Sequence, residues 1–186
     1  MELNKEYIIH ELENQVSGLL KQKYLPEDRP IESMFQIVYE PSFEEKVSWE
    51  VFETIKQEET KCYFVVKSTW DKAEDCNKLD MPLVALKAKY NKGQIIPTIK
   101  REKIYIDKGI VDEILLQFSN IKVSPIPNKS SEGFDGTTYE LKINSIYNNC
   151  YFRWWEEGPE NWSELTMYTI NILEYFSKIE KASKDF

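Results

Sequence analysis

Hydrophobic positions change period several times along the chain, and each change marks an element. Over 4–24, Ile8, Leu12, Val16 and Leu19 or Leu20 recur at helical spacing with Glu and Lys between them. That predicts a helix with one apolar face. Asn4 suits its N-cap and Pro26 its stop, while Gly18 weakens its last turns. Residues 26–33 read as a loop. Phe35, Ile37 and Tyr39 then alternate with Gln36 and Val38, a strand ending at Pro41. Val47, Trp49 and Val51 alternate again. After the polar stretch 56–60 so do Cys62, Phe64, Val66, Ser68 and Trp70, so 47–55 and 61–70 read as an antiparallel hairpin. Val47, Val51 and Ile55 also fit a helix across 44–55, and the local pattern leaves strand and helix both open there.

Asp71 and Glu74 have capping-box spacing, so a short helix is expected to follow the hairpin. Residues 79–93 carry no decisive period. Ile95 to Ile106 favours strand, and Asp107 caps a helix whose face is Ile110, Val111, Ile114, Leu115 and Phe118. A short extended piece, Ile121 to Ile126, and a polar loop over 128–137 come next. Tyr139 to Ile143 and Tyr151 to Trp155 read as a terminal hairpin. Asn161 and Glu164 again have capping-box spacing. Behind them runs the cleanest helical pattern of the chain, Leu165, Tyr168, Thr169, Ile172, Leu173, Phe176 and Ile179. Hairpin-linked strands bracketed by helices predict an α+β fold: one domain over 1–186, with a largely antiparallel sheet. Its expected helices are N-terminal, middle (about 107–119) and C-terminal (about 162–181). No repeat or low-complexity linker divides the chain.

Composition changes this picture little. At 186 residues, 41% hydrophobic and 30% charged, the chain is long enough for a core and unlike a disordered or membrane-spanning sequence. The first six residues lack a basic stretch leading into an apolar one, so no secretory signal is read there. Cys62, Cys76 and Cys150 are odd in number and far apart, which fits reduced thiols and a cytoplasmic setting. The wealth of Lys, Asn and Ile is typical of AT-rich bacterial genomes.

Charge changes it more. The formal net charge is −8, and residues 1–60 carry 14 acidic against 6 basic side chains. Residues 61–186 carry 18 of each, so the net charge resides in the first third. Such a surface would steer a basic protein. It disfavours nucleic acid, for which only the basic stretch 87–108 argues.

Motifs of catalysis are scarce. His10 is the only histidine and reads as a solvated helix residue. No metal-ligand spacing, Walker loop, dinucleotide fingerprint or nucleophile elbow occurs. The pairs Glu44–Glu45, Glu58–Glu59 and Glu156–Glu157 read as solvated surface. Cys62 reads as buried, and Cys76 as the most reactive thiol. The expectation is no cofactor, no metal and no catalytic residue, leaning away from an enzyme.

The densest information lies in 133–165. Asp135-Gly136 is a turn dipeptide leading into Tyr139, and Trp154 and Trp155 must point to opposite faces of a strand. One of the two should enter the core, the other being exposed or covered by a loop. D-G-T-x-Y-x-L followed by W-W-x-x-x-P-x-x-W-x-x-L resembles a pattern in small bacterial proteins, and it spans about a fifth of the chain. It carries no catalytic residue over. Some such short acidic proteins look like immunity or antitoxin partners in bacterial conflict systems, an analogy that implies protein binding. The candidate recognition patch is Asp135, Tyr139, Arg153, Trp154, Trp155, Glu157 and Trp162. The leading expectation is a protein-interaction module, with an immunity-type partner of a basic protein as its specific form. A small-ligand module with a Trp-lined pocket ranks second, and an enzyme using carboxylates or Arg153 third.

Overall fold

The computed structural model describes residues 5–22, 31–55, 61–79, 96–128, 133, 135–144 and 149–184. Six strands form one antiparallel sheet: β1 (Ile31–Pro41), β2 (Val47–Ile55), β3 (Lys61–Trp70), β4 (Ile99–Ile106), β5 (Thr137–Asn144) and β6 (Asn149–Trp155). Their spatial order is β4-β3-β2-β1-β5-β6. The first four make a meander, and the terminal hairpin returns to pair β5 with β1. The helices are α1 (Lys5–Leu20), α2 (Lys72–Leu79), α3 (Lys108–Asn120) and α4 (Ser163–Lys184), and a single 3-10 turn, Glu160–Trp162, leads into α4. The architecture is the expected α+β one.

The main core lies on one face of the sheet. Phe35, Ile37, Trp49, Val51, Val65 and Leu141 meet Val111, Ile114 and Phe118 of α3 and Leu165, Ile172 and Phe176 of α4. Phe176 is fully buried, 5.4 Å from the Trp49 ring and 6.4 Å from that of Phe35. Such aromatic contacts add about 0.5–1.5 kcal/mol each beyond their buried area. Across this layer Lys67 of β3 donates twice to Glu180 of α4, at 2.8 and 2.9 Å.

Helix α1 covers the opposite face with buried Leu12, Val16 and Leu20. Gln36, which points away from Phe35, donates to the Leu20 carbonyl at 3.1 Å and to Ser48 Oγ at 3.0 Å. It thus satisfies a carbonyl that the end of α1 leaves without a helical partner. Because helices lie on both sides, the central strands are buried on both faces. Tyr63, Phe64, Val65 and Val66 are all buried in succession, as are Ser48 to Phe52. The region 44–55 is therefore strand from Val47, and alternation there reports only one of its two buried faces.

Several boundaries differ from the sequence reading, for physical reasons. β1 begins at Ile31, inside the expected loop, because a register shift between Ser33 and Phe35 breaks the alternation while pairing with β2 continues. Asn161 was expected to cap the last helix. Instead its side-chain amide donates to the Ile126 carbonyl, and its oxygen accepts from Asn128 N–H, which pins the 124–128 segment. Cys62 is half-buried, not buried. Asp71 and Asp107 do cap, accepting from Glu74 N–H at 3.1 Å and Gly109 N–H at 2.7 Å. Asn4, Pro26, Glu58–Glu59, most of the ambiguous 79–93 stretch and most of the 145–149 turn lie outside the described residues.

One buried polar hub locks α2 to the sheet. Asp75 is fully buried. Its Oδ2 accepts from Trp70 Nε1 at 2.7 Å and Thr98 N–H at 2.8 Å, and its Oδ1 accepts from Lys78 Nζ and Thr98 Oγ1, each at 2.7 Å. Burial pushes the Asp75 carboxyl up, but the hydrogen bonds from Lys78, Thr98 and Trp70 outweigh it and hold the pKa below its ordinary value. A depressed folded pKa stabilises above the unfolded value, about 3.9, and that contribution is lost as pH falls through the folded value. Asp75→Ala should cost about 3–5 kcal/mol in denaturant unfolding at neutral pH. Asp75→Asn should flatten the loss of stability between neutral and acid pH, and an unchanged acid limb would remove the hub from this role.

Candidate functional site

The end of β1 builds the most distinctive surface. Alternation sends Tyr39 to the α4 side and Glu40 to the α1 side. Pro41 ends the strand, and the loop 42–46 carries Phe43, Glu44 and Glu45 into solvent. Phe43 is 83% exposed, the most exposed large hydrophobic side chain among the described residues. The loop is tied to the Asp135-Gly136 turn: Ser42 N–H and Ser42 Oγ both donate to the Gly136 carbonyl at 2.9 Å, and Gly136 N–H donates to Ser42 Oγ at 3.1 Å.

Between this loop, α1 and the 135–138 segment lies a groove of about 890 Å³. Carboxylates of Glu13, Glu40, Glu44, Glu45 and Asp135 line it. Four cations line it too, but most of them are engaged within the protein. Lys72 pairs with Glu13 at 3.0 Å, and Lys46 donates to Ser17 Oγ at 2.8 Å. Lys21 bridges Glu40 Oε2 at 3.2 Å and Glu140 Oε1 at 2.7 Å, while Arg153 Nε reaches the same Glu140 oxygen at 3.2 Å. Burial lowers the Lys21 pKa, yet Glu140 and Glu40 outweigh it and hold the ammonium above its ordinary value. Glu44, Glu45 and Asp135 have no ion pair among the described residues. Lys46 donates only to a neutral hydroxyl and keeps its charge, so five carboxylates against four cations leave the groove modestly negative.

Glu40 is the unusual member. Its side chain is only 10% exposed, and its Oε1 has no hydrogen-bond partner. A buried charged acceptor in that state is costly, because water is gone and nothing replaces it.

The sheet divides the sequence-derived patch between its two faces. Trp154 is buried on the α4 side, stacked on Tyr139 with ring centres 5.7 Å apart, and Trp162 meets it edge-on at 6.4 Å. Trp162 Nε1 donates to the Ser124 carbonyl at 3.0 Å. These three are packed aromatics of the core and its margin. Burial first, then Tyr39, Glu156 and Glu157, push the Tyr139 phenol up to about 12. Arg153 and Trp155 face the other way. Trp155 is half-buried under the loop, so close that a Cβ on Gly133 or Gly136 would sit 2.5 Å from its ring. Asp135 and Arg153 reach the acidic groove, whereas Glu157 lies exposed in the turn after β6.

No protein-family model, curated protein or solved structure matches this chain. The site therefore stands on its own geometry.

A second groove, about 610 Å³, lies on the other side of the 42–46 loop between β1, β2 and α4. Tyr39, Trp49 and Tyr139 are among its lining residues, with Lys67, Lys178 and Lys181. The described part of the basic stretch, 96–108, is largely engaged internally. Lys100 pairs with Asp71 at 2.8 Å, Lys103 lies 3.9 Å from the centre of the Phe64 ring, and Lys108 pairs with Asp112. His10 is exposed, and no cluster of metal-binding side chains occurs among the described residues.

Sequence reading missed Glu40, Lys21 and Glu140, because their meeting depends on the pairing of β1 with β5. The available signal was Glu-Pro-Ser-Phe-Glu-Glu over 40–45, an aromatic among acids just past a strand-ending proline. Gly136→Ala should drive Trp155 out of its seat, shift the tryptophan emission and destabilise by about 1–3 kcal/mol. Unchanged emission and stability would show that the loop does not hold this ring.

Proposed function

We propose that this chain is a cytoplasmic protein-interaction module that binds a basic protein through the acidic groove and the Phe43 loop. The single observation that carries this is the exposed Phe43 beside Glu44 and Glu45, neither in an ion pair among the described residues, at the mouth of an acidic groove. An aromatic held in solvent adds apolar area when a partner covers it, and surrounding carboxylates raise the encounter rate with a cation-rich surface. An immunity- or antitoxin-like role against a basic protein is the form that fits the terminal sequence pattern. No helix among the described residues is long and apolar enough to cross a membrane. The full-length tagged protein and its Phe43→Ala/Glu44→Gln/Glu45→Gln variant should differ in capture from the source lysate. A basic protein released by salt from the parent and missing from the variant supports the reading. Equal capture by both, or a salt-resistant acidic partner, contradicts it.

A small-ligand role has its own observation, the groove of about 610 Å³ bordered by Tyr39, Trp49 and Tyr139 with lysines around it. Glu44, Glu45 and Glu174 line it as well, so an aromatic zwitterion suits that chemistry. Its binding would quench tryptophan emission in the parent and not in Trp49→Phe; a flat response to a library of aromatic zwitterions would eliminate it.

A further inference from the structure

We infer that Glu40 is the receptor for an arginine side chain of the basic partner, inserted beside Phe43; this rests on the acidic-groove reading above. Glu40 lies on the last turn-facing stretch of β1, lines the groove of about 890 Å³, and is nine-tenths buried. Its Oε2 holds Lys21 at 3.2 Å, while Oε1 has no hydrogen-bond partner among the described residues. Lys21 directs its contacts to Glu40 Oε2 and, more closely, to Glu140 at 2.7 Å, and leaves Oε1 unserved. One buried carboxylate oxygen is thus left needing a cationic donor. The terminal torsion of a glutamate is broad, so the carboxylate of this groove-lining residue can reorient to meet a donor.

The surroundings select the donor. Glu44, Glu45 and Asp135 supply negative field, while the chain's own Lys21, Lys72 and Arg153 are held by Glu40, Glu140 and Glu13. Arginine suits the site better than lysine. Its planar fork can donate to a partly shielded carboxylate while its face packs on an aromatic ring, and it is more weakly hydrated than an ammonium. Phe43, three residues on in the loop that follows β1, offers that ring in solvent.

The probes are dye-labelled oligoarginine and oligolysine of equal length, titrated against the full chain by fluorescence anisotropy at low salt. Oligoarginine should bind more tightly than oligolysine, and Glu40→Gln should weaken oligoarginine by about tenfold or more. Glu40→Gln leaves Lys21 paired with Glu140, and its thermal melt reports whether it is folded. Independently of any variant, the side-chain carboxyl carbon resonance of Glu40 should move on adding oligoarginine. If neither peptide binds the parent protein, the acidic-groove reading itself fails. If the peptides bind but the Glu40 resonance stays fixed, or folded Glu40→Gln binds as the parent does, that reading survives and the arginine receptor is refuted.

Discussion

The pairing of β1 with β5 is the constraint on which the rest of the molecule depends. It joins residues about a hundred positions apart in seven registered pairs, from Phe35 opposite Ile143 to Pro41 opposite Thr137. Closing so long a loop is entropically expensive, and local propensity does nothing to offset it. Its reward is a six-stranded sheet in place of a meander and a separate hairpin. It also sets Val38 against Glu140 and Glu40 against Thr138, which puts two carboxylates on one face within reach of Lys21. The Ser42–Gly136 hydrogen bonds carry the same junction past the end of the strand and hold the Phe43 loop in place.

A sheet covered on both faces makes this junction polar as well as apolar. The α3–α4 side is filled by aromatics, but the α1 side buries Gln36, Ser48 and Glu140 among its hydrophobic residues. Polar groups buried there need partners, and most have them in α1 or across the strands. Satisfaction is incomplete there at Thr54 Oγ1 and at Glu40 Oε1 among the described residues, and of these two Glu40 carries a carboxylate and lines the acidic groove.

Local elements were legible because their signals are local. Alternation placed β3 and left β2 open between strand and helix, Asp71 and Asp107 marked their helices, and the apolar stripe from Leu165 to Ile179 announced α4. The opposed directions of Trp154 and Trp155 followed from strand geometry alone. Which one entered the core did not, since that depends on where α4 lies. The bulge after Ser33 hid the start of β1, and the amide of Asn161 served a tertiary contact where a cap was expected. The candidate patch was drawn around the terminal hairpin because its tryptophans dominate the sequence there. The acidic groove needs α1, β1 and β5 together, and no stretch of sequence contains all three.

Association kinetics of the basic partner, measured across ionic strength, test the central claim most directly. The acidic groove predicts an association rate that falls steeply as salt rises. At low salt Glu44→Gln/Glu45→Gln should slow association while leaving dissociation nearly unchanged. An association rate indifferent to salt, equal in parent and variant, would contradict the account and move the binding surface away from this groove.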